Sequence, residues 1–95
     1  MTGTTRSSAD LDPRRRKALF RSWHRGMREV DLILGSFADG EIGSLSEEEL
    51  TIYEALMAET DADILKWVTG EAAVPARHAT PVFSQILSYR GKVNV

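Results

Sequence analysis

The chain contains no cysteine. That excludes disulfide staples, thiolate metal sites and cysteine nucleophiles, and it fits a reducing compartment. Histidine is scarce too: His24 and His78 are the only two, and neither has a carboxylate at helical metal-ligand spacing. No apolar run approaches the ~18 residues of a membrane span. The opening stretch MTGTTRSSADLD lacks the apolar centre of a secretory signal. Apolar and polar residues never alternate over a useful length, and no Asn-Gly or Asp-Gly turn joins two such runs, so strands are not indicated. No glycine spacing matches a Walker or dinucleotide-binding loop. The expectation is a small, soluble, cytoplasmic protein without a resident cofactor or metal, and not an enzyme.

Charge of both signs is present, unevenly placed. Residues 1–28 carry eight basic side chains (Arg6, Arg14, Arg15, Arg16, Lys17, Arg21, Arg25, Arg28) against two acidic ones. Residues 29–71 carry twelve acids against Lys66 alone, and the remainder adds Arg77, Arg90 and Lys92. Such polarity either orients an encounter with a charged partner or is neutralised within the fold. With 95 residues, one domain is expected.

Helix signals recur along the whole length. The first ten residues are small and polar, and 1–11 is expected as a disordered tail. Asp12-Pro13 is a cap followed by a first-turn proline. Leu19 and Trp23 then share a face, with Phe20 beside them. Gly26 should end or hinge this helix. Apolar positions 27, 30, 33, 34 and 37 continue a second helix to Gly40, with a turn expected over 39–43. Ser46 and Glu49 form a capping box, opening a helix that turns Leu50, Tyr53, Leu56 and Met57 inward. Thr60 and Asp63 repeat the device more weakly before Ile64, Leu65, Trp67 and Val68, closed by Gly70. After a loop over 71–79, Thr80-Pro81 starts a last helix through Val82, Phe83, Ile86, Leu87 and Arg90, stopped by Gly91. The fold expected is all-α, a small single-domain five-helix bundle over residues 12–92.

One stretch resists a purely structural account. HRGMRE, residues 24–29, sets Arg25, Gly26, Arg28 and Glu29 at the mouth of the second helix. An Arg25–Glu29 pair would contribute only ~0.3–0.5 kcal/mol, in the less favourable order. Glu29 suits the helix dipole, whereas Arg28 opposes it. A guanidinium beside a carboxylate at a glycine corner suits recognition of a polar surface. Two other classes compete. Arg14-Arg15-Arg16-Lys17 could bind nucleic acid, but the acidic 29–71 segment and a pI near 5.6 oppose it. A protein that binds flavin itself would co-purify yellow, and a colourless protein is expected.

RGMREVD (25–31), SLSEEEL (44–50) and TDADILKWVTG (60–70), in this order, resemble the SdhE/YgfY family, the flavinylation assembly factors of succinate dehydrogenase, called assembly factor 2 in eukaryotes. The similarity runs from Arg14 to Arg90. RGxxE is that family's motif, met here by Arg25, Gly26 and Glu29, and reinforced by Asp63 and Trp67 in the D-x-x-x-W segment. Two positions depart from it: Leu65 stands where an aromatic is common, and His24 where a second arginine is common. The resemblance implies a five-helix bundle that binds the flavoprotein subunit of succinate dehydrogenase or its fumarate reductase relative. It further implies promotion of covalent FAD attachment to a histidine of that subunit. Arg25, Gly26 and Glu29 would belong to the surface presented to the flavoprotein, with Met27, Arg28 and Asp31 as neighbours. No cofactor of its own is implied, and a free monomer with no nucleic acid or membrane partner is expected. The alternative is a small helical adaptor or antitoxin-like protein that binds another protein or nucleic acid.

Overall fold

A computed structural model describes residues 9–93. Five α-helices follow in order: α1 Pro13–Trp23, α2 Arg28–Glu41, α3 Glu47–Met57, α4 Asp61–Thr69 and α5 Pro81–Leu87. Single 3-10 turns lie at Ile42–Ser44, Ala76–His78 and Arg90–Val93, and no strand occurs among the described residues. The all-α five-helix architecture is as the sequence indicates.

The helix starts form as their local chemistry dictates. Side-chain oxygens of Asp12, Ser46, Thr60 and Thr80 each accept from the amide three residues on, removing an orphan donor. At Ser46 the box is reciprocal, with Glu49 accepting from the Ser46 amide at 2.8 Å. Gly70 closes α4 in the left-handed conformation, φ +82°.

Two expected helix ends differ. The second helix does not stop before Gly40 but runs through it to Glu41. A Cβ on Gly40 would lie 2.5 Å from the Tyr89 hydroxyl, so this glycine admits a neighbour rather than ending a helix. That hydroxyl donates to Glu41 at 2.8 Å, and its ring meets Phe37 edge-on at 5.8 Å. The last helix ends at Leu87 instead of reaching Arg90. There the Ser88 hydroxyl donates to the Gln85 carbonyl at 2.6 Å, a local bond that competes with helix continuation.

The core forms around α2, whose Val30, Ile33, Leu34, Phe37 and Ala38 are almost wholly buried. α1, α4 and α5 pack on it, and α3 packs on α1 and α5. The inward positions expected on α3 are all buried. On α4, Ile64 and Val68 are buried while Leu65 and Trp67 are half-buried. Leu11 also tucks into the core, ahead of the expected domain start at residue 12. The rest of the tail expected over 1–11, up to Ser8, lies outside the described residues. One polar cluster enters the core: Ser22 donates to the Ala18 carbonyl at 2.7 Å and shares a 2.6 Å hydrogen bond with the buried Tyr53 hydroxyl, which also lies 3.3 Å from the Leu34 carbonyl.

Phe20, beside the Leu19 and Trp23 face, points outward. It is 60% exposed, the one large hydrophobic side chain so exposed among the described residues. At ~100° per residue it falls outside the sector holding Ala18, Leu19, Ser22 and Trp23. A single off-stripe aromatic looks the same in sequence whether it packs inward or faces outward.

Candidate functional site

The corner between α1 and α2 is a tight left-handed turn. His24 leaves α1, and Gly26 adopts φ +107°, which an L side chain rarely takes. Nothing lies within 4 Å of where its Cβ would be, so backbone conformation, not crowding, requires glycine there.

Arg25 turns inward. Its side chain is 12% exposed and reaches the junction of α3 and α4. Nε meets the Asp61 carboxylate at 2.5 Å, and the two terminal nitrogens donate to the Met57 and Glu59 carbonyls, each at 2.8 Å. The Met57 carbonyl belongs to the last turn of α3, where it has no intrahelical partner, the Glu59 carbonyl lies in the link just beyond it, and Asp61 opens α4. One planar fork therefore ties the corner to the α3–α4 junction at three points. The Arg25 amide donates to Asp31 at 2.8 Å, which fixes the other side of the corner. The Arg25–Glu29 pair weighed from sequence does not form, and the Arg25 guanidinium is not offered outward. Its inward partners give it a stabilising role, through an aspartate distant in the chain that no local pattern reveals.

The remaining motif residues divide. Met27 is half-buried against the core and caps α2 without a side-chain hydrogen bond. Asp31 is half-buried on the Arg25 amide. Gly26, Arg28 and Glu29 are exposed, and the last two side chains make no hydrogen bond or ion pair among the described residues. The six candidate residues thus come together as one corner, braced from inside by Arg25 and Asp31 and facing outward through Gly26, Arg28 and Glu29.

The basic run upstream divides in the same way. Arg14 grips Glu54 at 2.7 and 3.0 Å and Glu47 at 2.9 Å. Arg15 pairs with Asp12 at 2.9 Å and donates to the carbonyls of Ile42 and Leu45. These two arginines clamp α1 to α3 and to the turn before it. Arg16, Lys17 and Arg21 stay exposed and make no ion pair among the described residues.

Sequence reasoning missed a third cluster, at the far side of Arg25's anchor. Glu59 accepts from His78 Nε2 at 2.6 Å and from Arg77 at 3.0 and 3.1 Å. His78 is nearly buried and lies against Trp67, ring centres 5.5 Å apart. Its only signal in sequence is a lone histidine in a loop. The His78 hydrogen bond first, then Arg77, holds the Glu59 carboxyl below its ordinary value of 4.5; Arg14 does the same for Glu54. A depressed carboxyl pKa gives stability that is present above the unfolded value and lost as pH falls through the folded one. The melting temperature should therefore stay flat from neutral pH down to about 5 and fall below about 4.5. Glu59→Gln should flatten part of that acid limb; superimposable limbs for the two proteins would show that Glu59 adds nothing.

Among the described residues no group of three or more histidine, aspartate or glutamate side chains is placed to hold a metal ion. No helix among them is long and apolar enough to cross a membrane.

Fold and corner together define a class: a small all-α protein with a charged elbow that is fixed from within and exposed without. Residues 16–90 match the family described as flavinator of succinate dehydrogenase, and the chain belongs to that family. It is 38% identical over 78 residues to a mitochondrial succinate dehydrogenase assembly factor 2 of Dictyostelium discoideum, a match covering 82% of this chain and 55% of the relative. A FAD assembly factor SdhE of Acetobacter pasteurianus is 32% identical over 78 residues, covering 82% of this chain and 72% of that protein. The mitochondrial assembly factor 2 of Candida glabrata is 41% identical over 64 residues, covering 67% and 42%. The chain thus spans only about half the length of the Dictyostelium relative.

Proposed function

We propose that the protein is an assembly factor that binds the flavoprotein subunit of succinate dehydrogenase and promotes covalent attachment of FAD to it. The reading includes a non-catalytic role, a monomeric free state and a cytoplasmic location, with the fumarate reductase flavoprotein as a second client. The observation that carries it is the divided corner: Arg28 and Glu29 face solvent unpaired on a turn that Arg25 and Asp31 hold rigid. Membership of the flavinator family supports the choice of client.

Attachment needs a flavin and a histidine of the client held in reactive geometry, and the cofactor supplies the chemistry. A helper that fixes the client's conformation by contact meets that need without a nucleophile or base of its own. Rigid presentation matters here, because a preorganised face loses little entropy on docking. Glu29 is read as a contact residue and Gly26 as the point of close backbone approach.

Co-expression with the flavoprotein subunit, followed by in-gel flavin fluorescence, tests this. The wild-type chain should raise covalent flavin on the subunit. Glu29→Ala should lower it about tenfold or more while leaving the melting temperature within about 2 °C, since Glu29 is exposed and unpaired. Flavinylation unchanged by Glu29→Ala removes the assignment of this corner. No gain from the wild-type chain over a client expressed alone removes the function.

A further inference from the structure

α1 presents a second surface that neither the motif nor the core uses. Arg16, Lys17, Phe20, Arg21 and His24 are all exposed and fall within about 140° of one another around the helix, opposite its buried sector. Phe20 and His24 stack face to face, centroids 4.0 Å apart and planes 16° from parallel. The histidine is held by a 2.7 Å hydrogen bond between Nδ1 and the Phe20 carbonyl. A carbonyl only accepts, so Nδ1 carries the proton and Nε2 remains as the ring's available polar atom. The pair is thus a preformed aromatic platform about 60% open at its phenylalanine. A polar cleft bounded by Arg21, His24 and Glu59 opens beside it, and the Gly26 corner follows directly in sequence.

Four other arginines make the contrast. Arg14, Arg15, Arg25 and Arg77 are each paired with a carboxylate inside the fold. Arg16, Lys17 and Arg21 are not, and the long-range influence of Arg21 and Lys17 on Glu54 is secondary to the direct grip of Arg14. An exposed aromatic ringed by unpaired cations has the composition of an interface anchor with a charged rim. Neutralising that rim calls for carboxylates on the partner.

We infer that the outer face of α1 is a docking surface continuous with the Gly26 corner, with Phe20 stacked on His24 as its apolar anchor and Arg16, Lys17 and Arg21 as its rim. Its occupant is a protein surface bearing an apolar socket edged with aspartate or glutamate. The inference rests on the proposed function, and the socket then belongs to the flavoprotein client. A protein partner is favoured over nucleic acid because the anchor is an apolar ring stacked on one face, and because residues 29–71 are strongly acidic.

Binding of the full chain to purified succinate dehydrogenase flavoprotein subunit, measured at several salt concentrations, tests it. Phe20→Ala should weaken binding about tenfold or more by raising the dissociation rate. Arg16→Gln, Lys17→Gln and Arg21→Gln combined should slow association and flatten its salt dependence. Both variants should melt with the wild type, since the altered side chains are exposed. Wild-type binding that both variants reproduce, with the same salt dependence, overturns the docking surface and leaves the proposed function standing. No wild-type binding to the subunit overturns both. Salt-sensitive capture of duplex DNA by wild type, lost in the glutamine variant while client binding is kept, assigns the face to nucleic acid and overturns the proposal.

Discussion

Arg25→Ala is expected to lower the melting temperature by roughly 10–25 °C and to abolish support of flavinylation at growth temperature. The side chain is 12% exposed and serves one carboxylate and two carbonyls of the α3–α4 junction. Its removal leaves Asp61, itself 20% exposed, without its cation. Unpairing a partly buried charge and two carbonyls costs about 2–4 kcal/mol, less than the full burial figure because water can reach the vacated site. In a domain this small each kcal/mol moves the midpoint by about 4–8 °C. Arg25→Lys should fall between, because an ammonium can meet Asp61 or one carbonyl but cannot span all three. Asp61→Asn should couple strongly to Arg25→Ala in a double-mutant cycle, while Glu29→Ala should be additive with it. The decisive comparison is at a temperature well below the variant's midpoint. If Arg25→Ala is then folded and supports flavinylation, the arginine acts by holding the corner. If it melts like wild type yet fails to support flavinylation, the guanidinium meets the client directly and its inward assignment is wrong.

This motif shows where reading a sequence works and where it stops. Helix starts were readable because each is settled within one turn: Asp12, Ser46, Thr60 and Thr80 all bond the amide three residues on. The inward residues of α2 and α3 followed from periodicity for the same local reason. Arg25 was not readable, since its partner Asp61 lies a helix pair away and only the packed bundle brings them together. Charge asymmetry posed two alternatives, and the structure uses both. Arg14, Arg15 and Arg25 neutralise the acidic half, whereas Arg16, Lys17, Arg21 and Arg28 are left outside. Which arginine does which depends on helix phase against neighbours that the sequence does not display. Phe20 and Gly40 are ambiguous in sequence for a related reason, because an aromatic beside a stripe or a glycine near a helix end takes its meaning from what lies opposite.

Gly35 sharpens that point into a second large effect. It lies in the middle of α2, where alanine would ordinarily gain about 1 kcal/mol from helix propensity. Here an added Cβ would sit 2.3, 2.4 and 2.6 Å from three ring atoms of Trp23. The indole has little freedom to yield. It is 7% exposed, and its Nε1 donates to Asp39 at 3.2 Å. Relief requires α1 to move off α2, and Trp23 is the last residue of α1, immediately before the HRGMRE corner. Overpacking of this kind costs about 1–3 kcal/mol, occasionally more, and should outweigh the propensity gain. Gly35→Ala is therefore expected to lower the melting temperature by roughly 5–15 °C, to shift the tryptophan emission, and to weaken flavinylation by displacing the corner. Trp23→Leu removes the clashing ring, so Gly35→Ala made in that background should stabilise instead of destabilise. A reversal of sign between the two backgrounds is what contact between these residues requires. If Gly35→Ala raises the melting temperature of the wild-type protein, the indole is not seated on this glycine, and the close approach of α1 to α2 that sets the corner is lost with it.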